Sequence, residues 1–224
     1  MLRTMLGVAG LTAALATPAA VQAAKPKPPN APKLTIAAAP SPVTFGRATT
    51  LSGKLSGGKN AAGQAVTVQA DTAPFDGTYA NVATVQTDTN GDWHATNTPT
   101  ALTRYRAEAK SSPPATSPTV DVNVRLRVRI HVSDRTPARG QRVRFSGSVA
   151  PAHDGATARI QRRRPDGSWH TVARTTLVDA GDSVSRYSKR VKVTRTGTYR
   201  VRSASGDGDH LRGTSGTRKL RVHA

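Results

Sequence analysis

The chain has 224 residues, with 33 Lys and Arg against 13 Asp and Glu, a net charge of +20, and no cysteine. The missing thiols exclude disulfides, thiolate metal sites and a lipid-modified cysteine anchor, so each folded unit must be held by its own apolar core. The charge is uneven: residues 125–224 hold 23 Lys and Arg against 7 Asp, a net of +16, whereas residues 25–124 hold 9 against 6 acidic residues, a net of +3. A field of that sign favours anionic partners and makes their binding depend on salt.

Residues 1–23 read as a secretory signal: Arg3 is the basic start, Leu6 to Leu15 the short apolar core, and Val21-Gln22-Ala23 a small-residue cleavage site. Thr12, Thr17 and Pro18 break the run well short of the roughly 20 residues that span a bilayer, and no later segment is long and apolar enough to do so. The expected location is extracellular, either secreted or associated with the cell surface. Residues 24–32 form a Pro-rich spacer, since Lys25 to Lys33 reads KPKPPNAPK and favours an extended, semi-rigid chain.

From Lys33 onward, short alternating segments separated by Gly, Pro, Asp and Asn point to an all-β chain with no helix. Inward-facing sets are expected at Leu51 and Leu55, Val66 and Val68, Tyr79 and Val82, Trp93, Tyr105, and Val120 with Val122. Asp76-Gly77, Asn90-Gly91 and Asp166-Gly167 accept the positive φ of tight hairpin turns. Every even position from Val120 to Val132 is apolar with no Gly or Pro between, so one strand is expected to run almost directly into the next unit. There the inward sets continue with Leu126, Val128, Ile130 and Val132, then Val143, Phe145 and Val149, Ala158 and Ile160, Trp169 and Val172, Val191 and Val193, Tyr199 and Val201, and Leu220 and Val222.

The two halves repeat each other. Gly46, Ser52-Gly53, Gly63, Gln69, Asp76-Gly77, Val82-Ala83 and Tyr105-Arg106 are answered in order by Gly140, Ser146-Gly147, Gly155, Gln161, Asp166-Gly167, Val172-Ala173 and Tyr199-Arg200. With these marks the chain resembles the bacterial immunoglobulin-like domains found in tandem in secreted and surface proteins of high-GC Gram-positive bacteria. The resemblance runs from about Lys33 to Ala224 and implies two tandem β-sandwich domains of about seven strands each, at 33–124 and 125–224. It implies no particular ligand, because such domains serve as spacers, adhesins and carbohydrate binders alike.

No catalytic signature stands. Gly53 and Gly58-Lys59 mimic a phosphate-binding loop, but Asn60 replaces the metal-holding Ser or Thr, and Ser56 to Lys59 mimics a Ser-x-x-Lys motif without its companion motifs. Asp88, Asn90 and Asp92 lack the closing acid of a calcium loop, and Asp207 and Asp209 fit a polar loop. His94, His131, His153, His170, His210 and His223 show no metal-ligand spacing on one strand, so neither metal nor cofactor is expected.

Strand parity sends Arg125, Arg127 and Arg129 outward from the first strand of the second unit, Arg200 and Arg202 from the sixth, and Lys219 and Arg221 from the last. If first, last and sixth strands adjoin, these form one guanidinium-rich face, with Arg162, Arg163 and Arg164 adding charge at a loop. The expected function is non-catalytic binding of anionic cell-envelope polymers or polysaccharides, with non-specific nucleic acid binding at low salt. A ligand-free structural spacer or adhesion module is the alternative. Oligomeric state is open.

Overall fold

The computed structural model describes residues 30–58, 60–181 and 183–224, and every regular element among them is a β-strand. The leader expected at 1–23, most of the spacer at 24–32, and Lys59 fall outside the described residues. Ten strands have six residues or more: β1 (Thr49–Ser56), β2 (Ala65–Thr72), β3 (Ala80–Gln86), β4 (Asp92–Asn97), β5 (Thr103–Ala109), β6 (Arg142–Ala150), β7 (Thr157–Arg163), β8 (Trp169–Thr176), β9 (Ser185–Lys192) and β10 (Gly197–Ser203).

In the first half, β1 pairs with β4, Lys33–Leu34 and Ala37–Ala39, while a second sheet runs Val120–Val122, β5, β2, β3. The second half repeats this plan. Arg127–Val128 and His131–Val132 lie on β6, which pairs with β9 and through it with Val178–Asp179; the other sheet runs β8, β7, β10, with Gly213–Thr214 and Arg218–Leu220 on β10. Two-residue periodicity fills each sandwich from both sheets. Leu51, Leu55, Val66, Val68, Trp93, Tyr105 and Ala107 make one core, and Val143, Phe145, Ile160, Tyr187, Val201 and Leu220 belong to the other. Each large side chain fully buried here stabilises by about 1.5–3 kcal/mol relative to exposure.

The repeated Ser-Gly marks have a steric cause. The first strand of each sandwich is interrupted where it crosses a glycine: Thr35 donates its N–H to Lys54 O, and Arg129 to Ser148 O. A Cβ on Gly53 would stand 1.9 Å from Thr35 O, and one on Gly147 would stand 1.9 Å from Arg129 O. An aromatic side chain covers each crossing. Trp93 sits opposite Gly53, and Tyr187 opposite Gly147 donates its hydroxyl to Arg129 O at 2.7 Å.

Two expected core residues lie elsewhere. A β-bulge between Val68 and Gln69 in the β2–β3 pair, and another between Ile160 and Gln161 in the β7–β8 pair, slide the register by one residue. Such a slip transfers every following side chain to the opposite face. Tyr79 and Trp169 therefore lie half-buried beneath Arg106 and Arg200, not inside the sandwiches. Trp93 is buried as expected, 2 % exposed.

The halves meet without an unpaired linker. Val124–Arg125 is the middle strand of a small parallel sheet, between Val43–Thr44 of the first half and His210–Leu211 of the second. Val122, Val124, Leu126, Val128, Ile130 and Val132 are all buried, so the unbroken apolar alternation is spent on both cores in turn.

A candidate anion-binding face

The sheet containing β6 and β9 sets like charges directly opposite one another. Val143, Phe145, Val149, Tyr187 and Val191 point inward, so the alternate positions of both strands face out. The antiparallel register sets Arg142 opposite Lys192, Arg144 opposite Arg190, Ser146 opposite Ser188 and Ser148 opposite Arg186. Like charges directly across a ladder repel. Among the described residues, every ion pair made by a Lys or Arg lies in the first sandwich: Lys54–Asp92, Arg104–Asp121 and Arg106–Glu108. Among the described residues no carboxylate forms an ion pair with a cation of β6 or β9.

A groove of about 840 Å³ follows this face, lined by Arg129, Arg144, Arg186 and Arg218, by His131, Ser146, Ser148 and Ser188, and by apolar residues such as Val128, Ile130 and Val178. Arg129, Arg144 and Arg186 are exposed. Planar guanidinium forks flanked by hydroxyl donors suit phosphate, sulfate or carboxylate oxygens, which accept two hydrogen bonds at once.

The ten expected site residues do not form one face. The first strand of the second sandwich pairs with β6, not with the last strand, which runs along β10 in the opposite sheet. Of the ten, Arg129 lines the groove. Arg125 is exposed on the seam strand, and Arg127 turns toward the first sandwich, its guanidinium 5.9 Å from the Phe45 ring centroid. Arg200, Arg202 and Lys219 do lie on neighbouring strands, as sixth and last were expected to. Beside them Arg174, Arg159 and Arg202 stand in one row across β8, β7 and β10. Arg162 packs its methylenes on Gly197, and Arg163 and Arg164 close the Asp166-Gly167 turn. Arg221 is exposed and donates its backbone N–H to Arg135 O. Arg142, Arg144, Arg186, Arg190 and Lys192 escaped the sequence reading, although their alternation with Val143, Phe145, Tyr187 and Val191 is the same signal that exposed the others.

Arg200 has a structural task. Its guanidinium lies 4.1 Å from the Trp169 ring centroid and its Nε donates to Gln161 Oε1 at 2.9 Å. Burial lowers its basicity from the ordinary arginine value, with Arg202 adding to the effect. The first sandwich builds the same device: Arg106 stands 4.0 Å from the Tyr79 centroid and donates from Nε to Gln69 Oε1 at 2.8 Å. The repeated Gln and Tyr-Arg marks thus record a stacked, hydrogen-bonded arginine. Arg200→Ala is expected to cost about 1–2 kcal/mol in urea unfolding, from lost stacking and an unpaired Gln161, whereas Arg202→Ala stays within about 0.5 kcal/mol.

The Asp88 segment is a turn: Asp88 Oδ1 accepts the N–H groups of Asn90 and Asp92 at 2.8 and 2.9 Å, and Asp92 is engaged by Lys54. Those bonds hold the Asp88 carboxyl below its ordinary range.

No protein-family model and no curated protein matches the chain. Among solved structures it is similar to a tetra-tandem repeat from the extending region of a large adhesion protein, at 13 % identity and a TM-score of 0.37, over 85 % of this chain and 49 % of that one. It is also similar to red sea bream transglutaminase, at 11 % identity and a TM-score of 0.39, over 85 % of this chain and 31 % of that one. The chain thus spans under half of either protein. Among the described residues no helix is long and apolar enough to cross a membrane.

Proposed function

We propose that the protein is a non-catalytic module of two tandem sandwiches, dividing at 124/125, that holds anionic extracellular or cell-envelope polymer in the groove along β6 and β9. The observation that carries this reading is the ladder of directly opposed cations beside a hydroxyl-lined groove, with no carboxylate partner among the described residues. An array that costs folding energy in isolation gains it back when a polyanion lies along it. The extracellular setting rests on the leader, which makes envelope phosphate or uronate polymers the available anions.

The test is retention of the mature chain on immobilised anionic polymer across a salt series. Affinity is expected to fall at least about tenfold between roughly 50 and 200 mM salt, as for any ligand held by several released counterions. Retention that ignores salt, or that a neutral polysaccharide reproduces, contradicts the proposal. A second reading, a stiff spacer, draws on the seam, where Phe45 N–H donates to Arg125 O and Leu126 N–H to Leu211 O at 2.8 and 3.0 Å.

A further inference from the structure

At the seam, two imidazoles and a carboxylate that do not line the groove converge. His153 comes from the turn after β6, Asp207 from the loop after β10, and His210 from the short seam strand His210–Leu211 that follows it. Asp207 Oδ2 lies 2.7 Å from both His153 Nε2 and His210 Nδ1. The far ring nitrogens settle which atoms carry hydrogen. His153 Nδ1 is 2.9 Å from Pro151 O, and His210 Nε2 is 2.8 Å from Thr100 O. A carbonyl can only accept, so those nitrogens donate, and in neutral imidazoles Nε2 of His153 and Nδ1 of His210 are bare lone pairs. Both face a carboxylate.

A carboxylate oxygen facing two imidazole nitrogens is satisfied either by a proton on each ring or by one cation shared among the three donor atoms, which all lie within 4.8 Å of one another. The surroundings are those of metal ligands: each imidazole donates its other N–H to a backbone carbonyl, which fixes tautomer and ring orientation. Asp207 Oδ1 accepts the N–H groups of Asp209 and His210 at 3.1 and 3.2 Å, so Oδ2 alone is presented. The turn bearing His153 is itself held. Its N–H donates to Ser185 Oγ at 2.7 Å, and that hydroxyl donates to Asp154 Oδ1 at 2.5 Å. The two histidine side chains are 9 % exposed and Asp207 is 32 % exposed, which leaves the approach on the carboxylate side.

We propose that His153, Asp207 and His210 bind one divalent transition-metal ion of the zinc class, with water as the remaining ligand. Two imidazoles and one carboxylate suit zinc or nickel better than calcium or magnesium, which prefer all-oxygen sites. Around a tetrahedral ion with bonds of about 2.0–2.1 Å the donor atoms stand about 3.3 Å apart, and the three donor atoms lie within 4.8 Å of one another, so loading asks only for small side-chain shifts. The ion's effect reaches the first sandwich. His210 holds Thr100 O, and the neighbouring Asp209 O accepts the Leu102 N–H at 2.9 Å, so ordering this loop braces the two halves against each other.

The test is calorimetric titration of the chelator-treated full chain with zinc, with calcium and magnesium in parallel. One equivalent of zinc is expected to bind, raising the melting temperature by several degrees at about a hundredfold excess over Kd, with no response to calcium or magnesium. His153→Gln and His210→Gln should each weaken zinc at least about tenfold. Imidazole nitrogen-15 shifts of the wild-type chain give a readout free of variant folding, and are expected to mark Nε2 of His153 and Nδ1 of His210 as the ligating atoms. Absence of binding, wild-type affinity in both variants, shifts at other histidines, or rings that stay positively charged with zinc present would each overturn the proposal.

Discussion

Gly147→Ala lowers the stability of the second sandwich by about 3 kcal/mol or more, measured by urea unfolding. The added Cβ would stand 1.9 Å from Arg129 O and 2.6 Å from Tyr187 Oη, so the crossing of the first strand over β6 must open by more than an ångström. Opening it also breaks the Tyr187–Arg129 hydrogen bond at 2.7 Å. Overpacking against backbone is costlier than against a flexible side chain, which places this change in the upper part of the range for single substitutions. Gly53→Ala has the same effect on the first sandwich, where Thr35 O stands at 1.9 Å and the Trp93 ring at 2.8 Å. Gly155→Ala is the control. Its φ is +80° with nothing within 4 Å, so it incurs only left-handed backbone strain, about 1–2 kcal/mol. A loss at Gly147 no larger than at Gly155 would remove the steric account of the Ser-Gly repeat.

The double change Arg144→Glu with Arg186→Glu lowers polyanion affinity by roughly a hundredfold at low salt, since two attractive contacts in the groove become repulsive. Stability moves the other way. Arg144 faces Arg190 directly, so a glutamate there converts a like-charge pair into an opposite-charge pair, a gain of about 0.2–1 kcal/mol. Binding assays and urea unfolding on the same protein check both halves of this prediction. A variant that loses stability and affinity together would mean that the arginines serve the fold.

Much of the architecture is readable from alternation alone. Leu51, Val66, Tyr105, Val143, Phe145 and Val201 are wholly or almost wholly buried where period 2 places them, and the duplicated marks coincide with a duplicated sheet plan. Trp169 and Tyr79 are lost to the same rule because a bulge shifts register without leaving a trace in hydrophobic pattern. The basic face is half readable. Parity tells which arginines point outward but not which strands adjoin, and pairing of the first strand with β6 separates Arg129 from Arg200, Arg202 and Lys219. The histidine cluster is not legible in the sequence, because His153 is 54 residues from Asp207 and joins the Asp207–His210 pair only through the pairing of β7 with β10.

The central claim is that position, not total charge, makes the groove. Two charge-matched variants test it: Arg129→Gln, Arg144→Gln and Arg186→Gln along the groove, against Arg159→Gln, Arg174→Gln and Arg202→Gln in the row on the opposite sheet. Each loses three positive charges, so the long-range field falls equally. Affinity for one anionic polymer at about 100 mM salt is expected to drop at least about tenfold for the groove variant and no more than about twofold to threefold for the other. Equal losses would contradict the account and leave the charge of the second sandwich a diffuse field without a site.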